Sequence, residues 1–232
     1  TRSLCDWSSD VCSSDLPLVE TGCDSYCSVY PQFKKFANDV NEDELVEEIL
    51  KLLPANKWLD EHLVITGGEP LLGWQRAYPA LLSHPKMQQL KELTFETNGT
   101  QTISNEFADY LRAWASVRTC GALTFSVSPK LSCSGEKKED AIKPEVIAQY
   151  QSIGHTYLKF VVATEEDVWE ALEAVNDYRS AGFTGNVYLM PVGGTTNKFE
   201  LNRTQVAELA IKHGFRFSDR MHLGLYGNAW AT

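Results

Sequence analysis

The chain has 232 residues, enough for one domain with a sizeable core, and its 31 acidic residues outweigh 21 basic ones for a net charge of −10. That balance excludes nucleic acid and anionic membranes as electrostatic partners, so any role in tRNA or DNA metabolism would act on a small-molecule precursor. No apolar stretch approaches the roughly 20 residues that cross a bilayer, and the polar first residues do not read as a secretory signal, so a cytoplasmic protein is expected.

Six cysteines (Cys5, Cys12, Cys23, Cys27, Cys120 and Cys133) do not make a disulfide scaffold at this length. Four of them crowd into the first 27 residues and invite a metal reading. Residues 1–16, however, have neither a strand nor a helix period. They are filled with Ser and Asp as a disordered linker would be, and they resemble translated sequencing-adapter DNA. The expectation is an artefactual or disordered segment over 1–16, with the natural amino terminus lost and one domain over 17–232. Cys5 and Cys12 then carry no chemistry, while Cys120 and Cys133 lack metal-ligand spacing and read as ordinary thiols.

Beyond Pro17 the pattern is regular. Asn41 and Glu44 form a capping-box start, Leu45, Val46, Ile49, Leu50 and Leu53 form one helical face, and Pro54 ends it. A strand is predicted over 62–66, a helical turn over 75–82 and a strand over 93–96. The next helix carries Phe107, Leu111 and Trp114, and a strand over 122–128 follows. Residues 130–143 are polar and charged and read as an exposed loop, after which Pro144 suits the first turn of a short helix. A strand over 157–162 leads through the cap Thr164 and the acidic turn Glu165, Glu166, Asp167 into a helix that buries Val168, Leu172 and Val175 and closes at Gly182. A strand over 187–190, a helix over 203–213 capped by Asn202, and a strand over 215–217 complete the run. Trp74, Trp114 and Trp169 read as core or helix surface rather than a stacking site. Alternation repeated about six times without a linker predicts a single α/β domain with a parallel sheet.

The chemistry gathers at strand ends. Leu63-Val64-Ile65 runs into Thr66-Gly67-Gly68-Glu69-Pro70, where two glycines without Cβ atoms present backbone at the sheet's carboxyl edge, the edge at which ligands of such sheets collect. Alone this is also the signature of a plain βα turn. In order after it come Glu96-Thr97-Asn98-Gly99-Thr100, Ser126-Val127-Ser128-Pro129-Lys130, Lys159-Phe160-Val161, Met190-Pro191-Val192-Gly193 and the tail Arg220-Met221-His222-Leu223-Gly224-Leu225-Tyr226-Gly227-Asn228.

That series resembles the radical S-adenosylmethionine (SAM) superfamily and, in its finer motifs, is similar to the 7-carboxy-7-deazaguanine synthase family over residues 22–232. The resemblance implies a partial (β/α)6 barrel of mostly parallel strands, a [4Fe–4S] cluster with one iron left open for SAM, and Mg²⁺. It also implies a lyase that takes a hydrogen from 6-carboxy-5,6,7,8-tetrahydropterin through a 5′-deoxyadenosyl radical, giving 7-carboxy-7-deazaguanine and ammonia on a queuosine-type route. An external electron donor such as flavodoxin, a small-molecule pterin substrate and a homodimer are implied as well.

Residue by residue, Gly67, Gly68 and Glu69 would receive the amino group of SAM, and Gly99, Ser128, Pro129 and Lys130 would line the rest of it. Thr97 would hydrogen-bond the pterin, Met190, Pro191, Val192 and Gly193 would offer backbone to its edge, and His222 would meet its carboxylate. The plain alternatives are a solvated loop lysine at 130, a glycine turn at 193 and a surface histidine at 222.

The cluster motif of the superfamily, Cys-x3-Cys-x2-Cys, is incomplete. If Cys23 and Cys27 lead it, Tyr30 stands in the third place; if Cys23 closes it, Leu16 and Glu20 occupy the first two. The second register has Asp24-Ser25 following, with Ser25 as the Mg²⁺ ligand. In both registers Cys23 is an iron–sulfur ligand, and Cys27 lies beside it. Two further readings stay open: another radical SAM activating enzyme, and a degenerate barrel that binds SAM or pterin without a cluster.

Overall fold

The computed structural model describes residues 2–5, 37–193 and 196–226. Capping chemistry starts α1 (Glu42–Lys51) as the sequence indicates. Asn41 Oδ1 accepts from the Glu44 amide at 2.9 Å, and the Glu44 carboxylate accepts from the Asn41 amide at 3.0 Å. Six strands then alternate with helices: β3 (His62–Ile65), α2 (Tyr78–Ser83), β4 (Glu92–Thr97), α3 (Asn105–Ser116) and β5 (Leu123–Val127). After these come α4 (Lys138–Ala141), α5 (Pro144–Gln151), β6 (His155–Val162), α6 (Glu165–Ser180), β7 (Val187–Pro191), α7 (Thr196–His213), β8 (Arg216–Phe217) and α8 (Met221–Tyr226).

The six strands are all parallel and stand side by side in chain order, β3 to β8. Crossovers between parallel strands are right-handed, so an unbroken order winds every connecting helix onto one face and, among the described residues, leaves the other without one. The sheet does not close on itself. This is the α/β architecture of a partial barrel.

Register assigns the side chains. Paired residues point to the same face, and the faces alternate along each strand. Phe95 pairs with Phe125, and Val127 with Leu158. On that helix-covered face Leu93, Phe95, Phe125, Val127, Leu158, Phe160, Val162 and Leu189 are fully buried. Aromatic rings tie sheet to helices: Phe125 stacks on Tyr150 of α5 at 4.7 Å, and Tyr78 of α2 meets Phe95 edge-on at 5.3 Å. Each such ring contributes about 1.5–3 kcal/mol by its burial.

Residues 2–5 form β1 (Arg2–Cys5), paired antiparallel with β2 (Ala37–Val40). Two expectations are corrected. The stretch 130–143 contains α4 and a 3-10 turn over Ser132–Ser134, since Leu131 and Ala141 are buried among the charges. Helix α7 starts seven residues before 203, at Thr196, because Phe199 extends the apolar stripe of Val206 and Ala210; Asn202 therefore lies inside the helix and is not its cap. The segment bearing His222 is helical as α8.

Candidate active site

Gly67 and Gly68 follow β3 with φ of +81° and +52°, in the left-handed region that favours glycine. A Cβ at Gly67 would meet nothing within 4 Å, so the backbone here faces open space and leaves a cradle for a ligand. Glu69 turns the other way. Its Oε1 accepts from the Thr97 hydroxyl at 2.7 Å and the Leu71 amide at 3.1 Å, and its Oε2 accepts from the Asn98 amide at 2.8 Å. One carboxylate thus joins the loops after β3 and β4.

Thr97 is 3 % exposed and shares strand parity with Phe95, on the helix-covered face. Its oxygen also accepts from the Gly99 amide at 3.1 Å. Gly99 has φ +79°, and a Cβ there would lie 2.6 Å from Val127 Cγ1. Packing alone demands this glycine.

Both loops are held from below by the core. The Tyr78 hydroxyl donates to the Pro70 carbonyl at 2.6 Å, and the Tyr150 hydroxyl donates to the Gln101 carbonyl at 2.5 Å. Burial pushes the Tyr150 phenol well above its ordinary pKa, so it remains a neutral donor. The Gln75 amide bridges Leu71 and Thr102 carbonyls, and Gln149 pins both the N–H and the C=O of Ile103. Sequence reading missed all four residues; their only signal is a polar group in the turn before α2 (Gln75), at its first residue (Tyr78) or in the last turn of α5 (Gln149 and Tyr150).

Along the same edge, the Ser128 amide donates to the Thr97 carbonyl at 2.8 Å; Pro129 is buried and Lys130 half-buried. The loop beyond is anchored to α6, where Glu170 accepts from the Ser132 amide and hydroxyl at 2.8 and 2.6 Å. After β7, Asn202 donates to the Val192 carbonyl at 3.2 Å and Arg220 to the Gly193 carbonyl at 2.5 Å. Met190 is half-buried, Pro191 buried and Val192 exposed. Because Arg220 immediately precedes α8, its bond ties the helix bearing His222 to the loop after β7. The structure therefore gathers the residues from 67 to 193 along one edge of the sheet. Cys23, Ser25 and Cys27 lie outside the described residues, and among the described ones no cluster of three His, Cys, Asp or Glu could hold a metal ion.

The helix-free face is polar. Lys159 Nζ meets Glu96 Oε1 at 2.6 Å across β5, with their side chains 16 % and 37 % exposed. Ser126, on the strand between them, is 2 % exposed, and its hydroxyl has no hydrogen-bond partner among the described residues. Tyr157 and Tyr188 pack edge-to-face at 5.4 Å beside the pair. An open depression of about 440 Å³ near Arg118, Cys120 and His155 lies at the opposite, amino edge of the sheet. That is the wrong end for a ligand of this architecture.

Proteins of known name resemble the chain over most of its length. It is 29 % identical over 217 residues to the 7-carboxy-7-deazaguanine synthase of Halobacterium salinarum, covering 90 % of this chain and 79 % of that one. It is 32 % identical over 190 residues to the enzyme of that name from Hyperthermus butylicus, with 78 % and 69 % covered. The one from Pyrobaculum aerophilum is 29 % identical over 168 residues, with 72 % and 66 % covered. No protein-family model matches the chain. No solved structure matches it significantly.

Proposed function

This chain belongs to the 7-carboxy-7-deazaguanine synthase family, and from that membership we propose that it is a lyase. It would convert 6-carboxy-5,6,7,8-tetrahydropterin into 7-carboxy-7-deazaguanine with loss of ammonia. The observation that carries the reading at the level of the site is the Gly67-Gly68 cradle, locked by Glu69 to the Thr97-Asn98-Gly99 turn. A main-chain cradle with no side chain in its way suits the polar methionine end of SAM. Bound beside a [4Fe–4S] cluster, SAM would supply hydrogen-atom abstraction; Cys23 and Cys27 are the thiolates assigned to that cluster and Ser25 the Mg²⁺ ligand.

The chain's own residues would do the holding. Gly67 and Gly68 offer backbone, and Glu69, with three donors already on it, would take the SAM amino group only as a further partner. Gly99, Ser128, Pro129 and Lys130 form the next stretch of the wall. Thr97, its hydroxyl engaged by Glu69, would serve the pterin through the carboxylate it orients. Met190, Pro191, Val192 and Gly193, whose last two carbonyls are fixed by Asn202 and Arg220, would border the pterin, with His222 at its carboxylate. No helix among the described residues is long and apolar enough to cross a membrane. The family resemblance, not this absence, is what suggests a cytoplasmic homodimer served by an electron donor such as flavodoxin.

Anaerobic reconstitution with iron and sulfide, followed by reduction with SAM and the tetrahydropterin, should yield 5′-deoxyadenosine and 7-carboxy-7-deazaguanine by mass spectrometry. Iron uptake with neither product overturns the assignment. A second reading, binding without catalysis, is favoured by Tyr30, or Leu16 and Glu20, where cluster cysteines are expected. No iron uptake together with intact SAM binding would select it.

A further inference from the structure

The helix-free face holds a recognition element that the lyase reading does not use. We propose that Lys159 and Glu96 together grip the pyrimidinone edge of the pterin, the half of the substrate that ring contraction leaves untouched. The proposal rests on the functional reading above and adds the group that identifies the substrate.

The Lys159 and Glu96 side chains, 16 % and 37 % exposed, are only partly withdrawn from water, and such a pair is weak evidence of stabilisation. Their retention in the middle of a sheet face is better explained by a ligand. Lys159 has three N–H donors and gives one to Glu96 Oε1. Among the described residues nothing else bonds either side chain. The pair therefore presents, 2.6 Å apart, a donor with spare hydrogens and a carboxylate with a spare oxygen.

The pterin edge is the complement. A 4-oxo group accepts, and the neighbouring N3–H and 2-amino group donate. Lys159 would donate to the oxygen, and Glu96 Oε2 would accept from the N–H donors, as charge-assisted bonds. Ser126 supplies a second observation: among the described residues its buried hydroxyl has no partner, and of the four buried side-chain groups left so (with Trp58, Trp114 and Tyr178) it is the one that lies beside Glu96 by direct register. A buried hydroxyl left unpaired in the free protein is a group for which a bound molecule supplies the missing bond. Tyr157 and Tyr188 on the same face offer apolar ring surface to a planar heterocycle.

Position supports the assignment. Lys159 stands three residues before the end of β6, below the edge that carries Gly67 and Gly68. The reacting half of the pterin would lie toward that edge, and the unreacting half deeper. Substrate and product share the same 2-amino-4-oxo edge, so one grip serves both.

Stable pteridines test this without turnover. Calorimetry or fluorescence quenching should give wild-type protein at least tenfold tighter binding of 6-carboxypterin than of 2,4-diamino-6-carboxypteridine, in which an amine replaces the oxo acceptor. Lys159→Met should weaken 6-carboxypterin at least tenfold and cut the discrimination below threefold, with SAM affinity unchanged within twofold. Glu96→Gln/Lys159→Met removes both charges, guards against misfolding from a lone one, and should behave alike. Variants that keep wild-type affinity and discrimination overturn the proposal, as does a loss confined to SAM. If wild-type protein binds neither pteridine, the lyase reading falls with it, which separates the two failures.

Discussion

The two faces of one six-stranded sheet have been put to opposite uses. Take adjacent residues of β5: Phe125 is fully buried and stacked between Phe95 and Tyr150, whereas Ser126 is just as buried but leaves its hydroxyl unpaired. The first face is built of apolar side chains packed against the helices. The second carries an ion pair and a buried hydroxyl without a partner among the described residues, neither of which adds much to stability. Period-two alternation lets a single strand serve both ends, and the singly wound order of strands decides which face the helices leave free.

The strongest way to break this contrast is to exchange the costs. Phe125→Ala should destabilise by about 3–5 kcal/mol in chemical denaturation, because the cavity lies among rings that cannot collapse onto it. Ser126→Ala, one residue along, should be neutral or stabilising by about 1 kcal/mol, since it deletes an unsatisfied hydroxyl. Equal losses at both positions would mean the two faces do the same job.

Glycines at the carboxyl edge sharpen the comparison. Gly99→Ala must place a methyl 2.6 Å from Val127 Cγ1 and adopt φ +79°, and should lose about 2–4 kcal/mol of stability. Gly67→Ala meets no neighbour within 4 Å and should lose only about 1–2 kcal/mol from its backbone. Its larger effect should be on SAM affinity, because the methyl would enter the cradle. Denaturation and binding measured on both variants separate packing from recognition. Smaller again is Tyr150→Phe, which keeps the stacked ring and removes the bond to Gln101; a loss of about 1–2 kcal/mol is expected.

Much of this architecture was legible in sequence, for physical reasons. The capping residues Asn41 and Thr164 act locally, through donors three residues away, and both cap as read. Four strand ends carrying glycine or proline, those of β3, β4, β5 and β7, mark the sheet edge because the backbone turns sharply there. What stayed hidden depends on distant partners. Nothing in the sequence signals that Glu69 also bonds Thr97 and Asn98, nearly thirty residues on. Lys159 finds Glu96 across 63 residues. The start of α7 was missed because Phe199 lies in a polar stretch whose role only tertiary burial reveals.

The smallest effect tests the rim where the two faces meet, in the loop that leaves Lys130. Cys133 is exposed as a residue, yet its thiol is pushed up to about 11, first by burial of the sulfur and then by the negative charges of Asp167 and Glu170. Folding therefore favours the protonated thiol. Its contribution to stability is complete below the ordinary value of 9.0 and is lost as pH climbs from there through about 11. The same shift controls reactivity, because only the thiolate attacks. Alkylation at Cys133, followed by site-resolved mass spectrometry on native protein, should be slow at pH 8 and rise roughly tenfold per pH unit toward that value. A rate that levels off near pH 9 would show the loop standing clear of α6, and with it the loss of the Glu170 anchor that holds the segment beyond Lys130 against the barrel.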